Sequence, residues 1–173
     1  MGRIKRVYFQ NAVYHITIRG NNKQRILREE QNKQIFFDCL VKFKNRFRFK
    51  LYAFVLMDNH VHLIIETNYA VNISKIMHAL TLSYSVKFRK KYRYCGYVWQ
   101  GRFKSNVIEG DSYIIDCIEY IHNNPVRAGL VDRAEDYFWS SYRSYNDNVD
   151  NHNNANSIDI FTNYAGDSSC VTI

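Results

Sequence analysis

The sequence predicts an α+β fold in which helices pack on a central antiparallel sheet. Its 173 residues, 46% of them hydrophobic, suit one domain with a substantial core. The spacing of apolar residues switches between strand and helix periods in the order strand, helix, strand, strand, helix, strand, helix. This order predicts a ferredoxin-like sandwich with an added C-terminal, tyrosine-bearing helix.

The first strand and the first helix are predicted from the N-terminal part of the chain. Residues 14–19, "YHITIR", alternate across two faces, contain β-branched side chains and end at Gly20, which predicts a strand. Residues 28–47 place apolar side chains at helical spacing, which predicts an amphipathic helix. These apolar positions are Ile35, Phe36, Cys39, Leu40 and Phe43.

A pair of strands and a second helix follow. Residues 50–57 and 60–66 are both apolar runs, and the intervening Asp58 and Asn59 favour a turn, so we expect adjacent strands. Residues 72–92 return to helical spacing and finish with a run of basic side chains. A second amphipathic helix is therefore predicted after the strand pair.

The last predicted elements are an extended segment and the tyrosine-bearing helix. Residues 98–109 are predicted to be extended, and a helix is predicted from Asp111, a residue suited to an N-cap, toward Asn124. Residues 146–173 begin with an Asn- and Asp-rich stretch that lacks an apolar period, which is typical of a linker or a frayed tail. We therefore expect the folded domain to occupy residues 1–145.

Composition excludes several classes of protein. The sequence contains no run of roughly 18 to 20 apolar residues and no apolar leader at its start, so we expect neither a membrane span nor secretion. Its four cysteines have no CxxC spacing, which argues against a zinc cage or a redox pair. A cytoplasmic protein with reduced thiols is expected.

Positive charge is concentrated in two segments of the chain. The formal net charge is +8, and residues 1–50 carry 13 Lys and Arg against 3 acidic residues. Residues 85–105 carry 7 basic residues and no acidic one, interleaved with Tyr, Trp and Phe. Cations that neutralise phosphates, together with rings on which bases stack, suit nucleic acid better than a membrane surface. A solvated basic helix face is the alternative.

Two histidines in "DNHVHLIIE", residues 58–66, form a candidate metal site. Side chains alternate along a strand, so His60 and His62 lie on one face and can share a divalent ion through their ring nitrogens. The alternative is a pair of hydrogen-bonded histidines on a half-exposed strand.

The tyrosine-bearing helix contributes two further candidates. Tyr120 and Asn124 are four residues apart, so a phenol and a carboxamide project from the same helix face. The phenol is a potential nucleophile and the amide oxygen a potential metal ligand. Tyr120 is also one of 14 tyrosines, most of which pack or stack, and Asn124 could instead cap a short helix opened by Pro125.

Four ordered motifs in residues 3–145 resemble those of the HUH single-tyrosine transposases, and most closely those of the REP-associated tyrosine transposases. The motifs are "YHITIRGNN", "FVLMDNHVHLIIE", "VWQGRFKS" and "YIHNNPVRAGLV". The resemblance implies that Tyr120 is the nucleophile and that Mg²⁺ or Mn²⁺ is held by His60, His62 and Asn124. This sequence departs from the family pattern at Asp58, where several relatives have Pro, and other branches have Gln at the position of Asn124.

The resemblance also implies the reaction, the substrate and the setting. We expect metal-dependent cleavage of single-stranded DNA through a 5′-phosphotyrosine, followed by strand rejoining, on DNA with hairpin or palindromic structure. The protein would act as a monomer or homodimer in the bacterial cytoplasm, associated with the nucleoid. His122 and Asp116 could help to activate the tyrosine. The candidate DNA-binding residues are Arg3, Lys5, Arg6, Arg19, Arg89, Lys90, Lys91, Arg102 and Lys104.

Two competing functions are also suggested by parts of the sequence. The "HIT" at His15–Thr17 is half of the paired signature of metal-free two-histidine phosphoesterases, but no second HxT or HxS exists, so His15 is better interpreted as an accessory residue of the site. A ferredoxin-like module that only binds hairpin DNA or RNA is the stronger alternative. A metal-dependent covalent adduct with single-stranded DNA separates an enzyme from such a binder.

Overall fold

The computed structural model describes residues 9–146 and contains one four-stranded sheet in that range. The strands are β1 (Val13–Arg19), β2 (Lys50–Leu56), β3 (His60–Glu66) and β4 (Lys104–Ile108). Their spatial order is β2-β3-β1-β4, and every neighbouring pair is antiparallel. This topology confirms the predicted α+β, ferredoxin-like sandwich.

Five α-helices accompany the sheet in the described part of the chain. They are α1 (Glu30–Phe47), α2 (Ile73–Tyr92), α3 (Asp111–His122), α4 (Asn124–Arg127) and α5 (Tyr142–Asn146). The first three match the predicted helices closely, and none of the helices within residues 9–146 is long and apolar enough to cross a membrane. Asn146 ends α5, and the remainder of the predicted tail, like Arg3, Lys5 and Arg6, lies outside the described residues.

The two faces of the sheet are buried by different helices. Val61, Leu63 and Ile65 project from one face of β3 and are fully buried in a core shared with α1 and α2. His62 and Ile64 project from the opposite face, which is covered by α3. The histidine pair therefore lies between the sheet and the tyrosine-bearing helix.

The predicted extended segment forms a strand only in its second half. Residues 98–100 instead contact the end of β1: the Asn21 amide donates to the Val98 carbonyl, and the Gln100 amide donates to the Arg19 carbonyl. These bonds satisfy the backbone of the segment without a regular ladder. The start of α3 also differs from expectation, because Gly110, at φ 92°, holds the N-cap position and Asp111 is the first helical residue.

Asp58, in the turn between β2 and β3, is held by an ion pair. Its Oδ1 lies 3.2 Å from Nζ of Lys33, whose side chain is only 6% exposed. The backbone carbonyl of Asp58 also accepts a hydrogen bond from the Leu27 amide. A carboxylate at this turn therefore compensates a buried ammonium, which proline could not do.

The chain after α4 returns to the outer edge of β2. The Leu56 amide donates to the Trp139 carbonyl, and the Ser141 amide donates to the Phe54 carbonyl. The Tyr137 hydroxyl donates to the Leu56 carbonyl from a buried position. We call residues 137–141 the edge segment. It occupies backbone groups that an edge strand would otherwise expose.

Candidate active site

Cross-strand pairing assembles the candidate site on one face of the sheet. His62 lies directly opposite Thr17, and Thr17 lies opposite Lys104 on its other side. His60 lies opposite Arg19. Directly opposed residues share a face, so these side chains project together. The predicted common face of His60 and His62 is thus extended across three strands.

Hydrogen bonds hold each histidine of the pair through the same ring nitrogen. Nδ1 of His60 lies 2.6 Å from Oδ1 of Asn59, while Nδ1 of His62 lies 3.0 Å from Nε2 of His15 and 3.1 Å from Oγ1 of Thr17. The ring centroids of His60 and His62 are 5.0 Å apart. With both Nδ1 atoms engaged, Nε2 is the nitrogen that each ring can offer to a metal, as in many metal-binding histidines.

Burial keeps these histidines neutral. The pKa of His62 is lowered to about 3, first by burial and then by the charges of His60, His15 and Arg19. The pKa of His60 is lowered to about 4 by burial and by Arg19, and burial also lowers the pKa of His15. Neutral imidazole is the form that binds metal ions, so the rings are in a ligand-competent state at neutral pH.

Tyr120 lies beside the histidines and remains accessible. Its ring centroid is 6.1 Å from that of His15 and 6.2 Å from that of His62, both in edge-on arrangements, and the residue is 43% exposed. Cζ of Arg127 lies 4.9 Å from the same ring centroid, over its face. Tyr113, also exposed, lies earlier on α3 and interacts with Cys117. Tyr120 is thus the tyrosine of α3 that contacts the histidine cluster.

Asn124 connects α3 to the short helix that follows. Its Nδ2 donates to the Tyr120 carbonyl at 2.8 Å and to the Ile121 carbonyl at 3.4 Å, which satisfies carbonyls at the end of α3. The alternative in which Asn124 caps the helix opened by Pro125 is wrong in detail, because Asn123 holds that N-cap and Asn124 is the first helical residue. A ligand role for the Asn124 amide oxygen stays a prediction.

The two candidate helpers of the tyrosine occupy different surroundings. His122 is buried, its Nε2 lies 2.8 Å from Oγ of Ser141, and its ring contacts Tyr142 and Tyr145. Burial lowers the pKa of His122 to about 4. These contacts give His122 a packing role that joins α3 to the C-terminal segment, whereas Asp116 is exposed on α3.

The basic candidates of the described region fall into three groups. Arg19 and Lys104 lie on the histidine face of the sheet. Arg89 and Arg102 line a cavity of about 530 Å³ between α2 and the loop that precedes β4. Lys90 is exposed on the last turn of α2, while Lys91 is paired with Glu29 at 2.9 Å. Lys91 is therefore less available to phosphate than its neighbours.

Within residues 9–146, no group of three or more His, Cys, Asp and Glu side chains is arranged to hold a metal ion. The predicted ligand set contains two histidines and an amide oxygen, which is a different set of donors. Thr17, Asn59 and Arg127 contact the candidate site but were not singled out from the sequence. Two sequence features could have pointed to these residues: strand alternation places Thr17 on the same face as the site, and Arg127 follows Tyr120 by seven residues.

Comparison with known proteins gives consistent matches. The family model "Transposase IS200 like" matches residues 8–124. A Haemophilus influenzae protein with the provisional name REP-associated tyrosine transposase is 25% identical over 160 residues, covering 82% of this chain and 86% of the relative. The REP-associated tyrosine transposase of Escherichia coli K12 is 22% identical over 147 residues, covering 82% and 83%.

A solved structure shares the fold. It is that of a REP-associated tyrosine transposase bound to a REP hairpin, and it superposes with a TM-score of 0.70 at 21% identity. The similarity covers 83% of this chain and 84% of the other.

Proposed function

Because the chain belongs to the IS200-like transposase family, we propose that it is a metal-dependent transposase and endonuclease acting on single-stranded DNA. It would bind DNA hairpins, cleave through a 5′-phosphotyrosine and rejoin the strands. The observation that carries this proposal is the contact of an accessible tyrosine, Tyr120, with a cluster of neutral histidines.

The residues present fit a divalent metal ion such as Mg²⁺ or Mn²⁺. Nε2 of His60 and Nε2 of His62 would hold it, because hydrogen bonds engage the other nitrogen of each ring. Oδ1 of Asn124 would be the third ligand, since Nδ2 of that amide is used by the end of α3. When bound, the ion supplies Lewis acidity that polarises a phosphodiester.

The chain itself supplies the nucleophile. The Tyr120 hydroxyl would give up its proton to water as its oxygen attacks phosphorus, the bond to the 3′ oxygen would break, and that oxygen would leave as a 3′-hydroxyl after taking up a proton from water. The 5′-phosphotyrosine conserves the phosphodiester linkage, so a 3′-hydroxyl can attack it later. That second step rejoins DNA and restores the tyrosine hydroxyl without ATP.

Basic side chains around the site would bind the DNA backbone. Arg19 and Lys104 flank the histidines, and Arg89 and Arg102 add positive charge beside the end of β1. A hairpin substrate is supported by the relative whose structure contains a REP hairpin. Such a substrate would place the protein at the bacterial nucleoid.

The proposal is tested by Tyr120→Phe with Tyr113→Phe as the matched control. A labelled single-stranded hairpin is incubated with Mg²⁺ or Mn²⁺, and the covalent adduct is measured on a denaturing gel. We expect Tyr120→Phe to bind the hairpin on a native gel but to form no adduct, since only the attacking oxygen is lost. Tyr113→Phe should react as wild type does.

The binding-module alternative gives a different outcome. In that case the wild-type protein shifts the hairpin on a native gel and forms no adduct under any metal condition. Loss of the adduct in Tyr113→Phe rather than Tyr120→Phe would show that the assignment of the nucleophile is wrong.

A further inference from the structure

Arg127 contacts the ring of the proposed nucleophile, Tyr120. Its Cζ lies over the face of the Tyr120 ring, 4.9 Å from the centroid, whereas His15 and His62 meet that ring edge-on. A guanidinium at this distance from an aromatic face forms a cation–π contact. The ring is therefore bounded by three side chains although the residue is 43% exposed.

Hydrogen bonds and burial fix the backbone around Arg127, so its side chain can hold the Tyr120 ring in place. Pro125 is buried, the Arg127 amide donates to the Asn123 carbonyl, and Nδ2 of Asn124 ties the start of α4 to the Tyr120 carbonyl. Arg127 is the last residue of α4, the helix that directly follows α3, and helical side chains point toward the N-terminus of their own helix. A long arginine side chain can thus reach back to the ring.

The charge of Arg127 is not used elsewhere in the described region. In residues 9–146 no carboxylate forms an ion pair with Arg127, whereas the nearby Arg133 is paired with Glu135 at 2.8 Å. Arginine stays protonated at all relevant pH values and presents a planar face. Its described partner is the ring of Tyr120.

We propose that Arg127 is a positioning residue that holds the Tyr120 ring against His15 and His62, so that the hydroxyl is presented in one orientation to the scissile phosphate. The inference rests on the proposed function, in which Tyr120 attacks. A half-exposed tyrosine without this contact would be free to sample other rotamers. Small misplacements of a nucleophile reduce rates by up to about 100-fold, so the contact matters for chemistry more than for DNA affinity.

The test compares Arg127→Gln, which removes the charge, with Arg127→Lys, which retains a cation. Arg143→Gln is the matched control, because Cζ of Arg143 lies 5.6 Å from the Phe138 ring in an analogous contact outside the site. The single-turnover rate constant of adduct formation is measured at saturating hairpin DNA, normalised to the DNA-binding fraction. The Kd for the same hairpin is measured separately.

We expect the rate constant of Arg127→Gln to fall by about 10- to 100-fold, with Kd changed by less than about threefold. Arg127→Lys should recover part of the rate, since an ammonium also binds an aromatic face. The Arg143→Gln control should match wild type. A wild-type rate constant in Arg127→Gln would overturn the proposal, as would a weakening of Kd large enough to show that Arg127 is primarily a DNA contact.

Tyr120→Phe, measured in parallel, distinguishes failure of the proposed function from failure of the positioning role of Arg127 alone. If that variant still forms the adduct, the proposed function fails and the positioning role fails with it. If it forms no adduct while Arg127→Gln keeps the wild-type rate constant, only the positioning role is wrong.

Discussion

Replacement of Asn124 by alanine separates a structural role from a metal-binding role. The structure gives Asn124 a good hydrogen bond to the Tyr120 carbonyl at 2.8 Å and a longer one to the Ile121 carbonyl at 3.4 Å. A net hydrogen bond contributes about 1 kcal/mol, and solvent can partly replace it because Asn124 is only half-buried. We therefore expect Asn124→Ala to lower the free energy of unfolding by about 1 kcal/mol.

The metal-binding role predicts a second, separate effect. Loss of one of three ligands should raise the metal concentration needed for half-maximal adduct formation by at least about tenfold, in line with the sensitivity of metal sites to their surroundings. Asn124→Asp should behave differently. It removes the donor to the α3 carbonyls, which destabilises the metal-free protein, but it adds a negative charge to the ligand set and should strengthen metal binding.

Urea denaturation without metal measures the first effect, and titration of adduct formation with Mg²⁺ and Mn²⁺ measures the second. Asn123→Ala is the control, because Nδ2 of Asn123 donates to the Glu119 carbonyl at 3.0 Å and has no predicted metal role. It should lose similar stability with an unchanged metal titration. Superimposable titrations for wild type, Asn124→Ala and Asn124→Asp would refute the ligand assignment.

Three further predictions concern the histidines and the basic surface. His60→Ala and His62→Ala should each abolish cleavage at millimolar Mg²⁺, and full activity of both variants in chelator would remove the metal from the mechanism. Burial lowers the pKa of His122 to about 4. Below pH 6.5 the unfolded chain therefore takes up a proton at this histidine that the native protein excludes, so the free energy of unfolding falls as the pH decreases toward 4. Urea denaturation at several pH values should show that the free energy of unfolding of His122→Gln changes less with pH than that of the wild type, by up to about 1.4 kcal/mol per pH unit. The same pH dependence in the variant and the wild type would contradict the burial argument. Reversal of charge at Arg89 and Lys90 should weaken binding to all single-stranded sequences. It should also reduce the slope of log affinity against log salt concentration by about 0.7 per lost phosphate contact. A slope identical to that of the wild type would show that the DNA binds elsewhere.

Local periodicity was sufficient to predict the elements and part of the candidate site. Alternation along β3 predicted the common face of His60 and His62, and helical spacing placed Tyr120 near Asn124. These relationships involve neighbours in sequence, so they follow from local backbone geometry, even though Tyr120 lies on α3 and Asn124 begins α4. The order of the predicted elements was also sufficient for the fold class, because few sheet topologies accommodate it.

The remaining features depend on contacts between distant segments. Thr17 lies opposite His62 only because β1 pairs with β3 in one register, and sequence spacing does not specify that register. The direction of the Asn124 amide depends on the interruption between α3 and α4. The edge segment has no strong apolar period, so nothing local indicated that it would return to β2.

The edge segment has a consequence for self-association. An exposed outer strand can recruit a strand from another molecule and extend a sheet indefinitely, which is a common route to aggregation. Along β2, the amide and carbonyl groups of Phe54 and Leu56 are instead bonded to the chain's own residues 137–141. Truncation before residue 137 would uncover these groups and create a template for intermolecular pairing, so a shortened chain should be prone to precipitate even if its histidine and tyrosine residues were all retained.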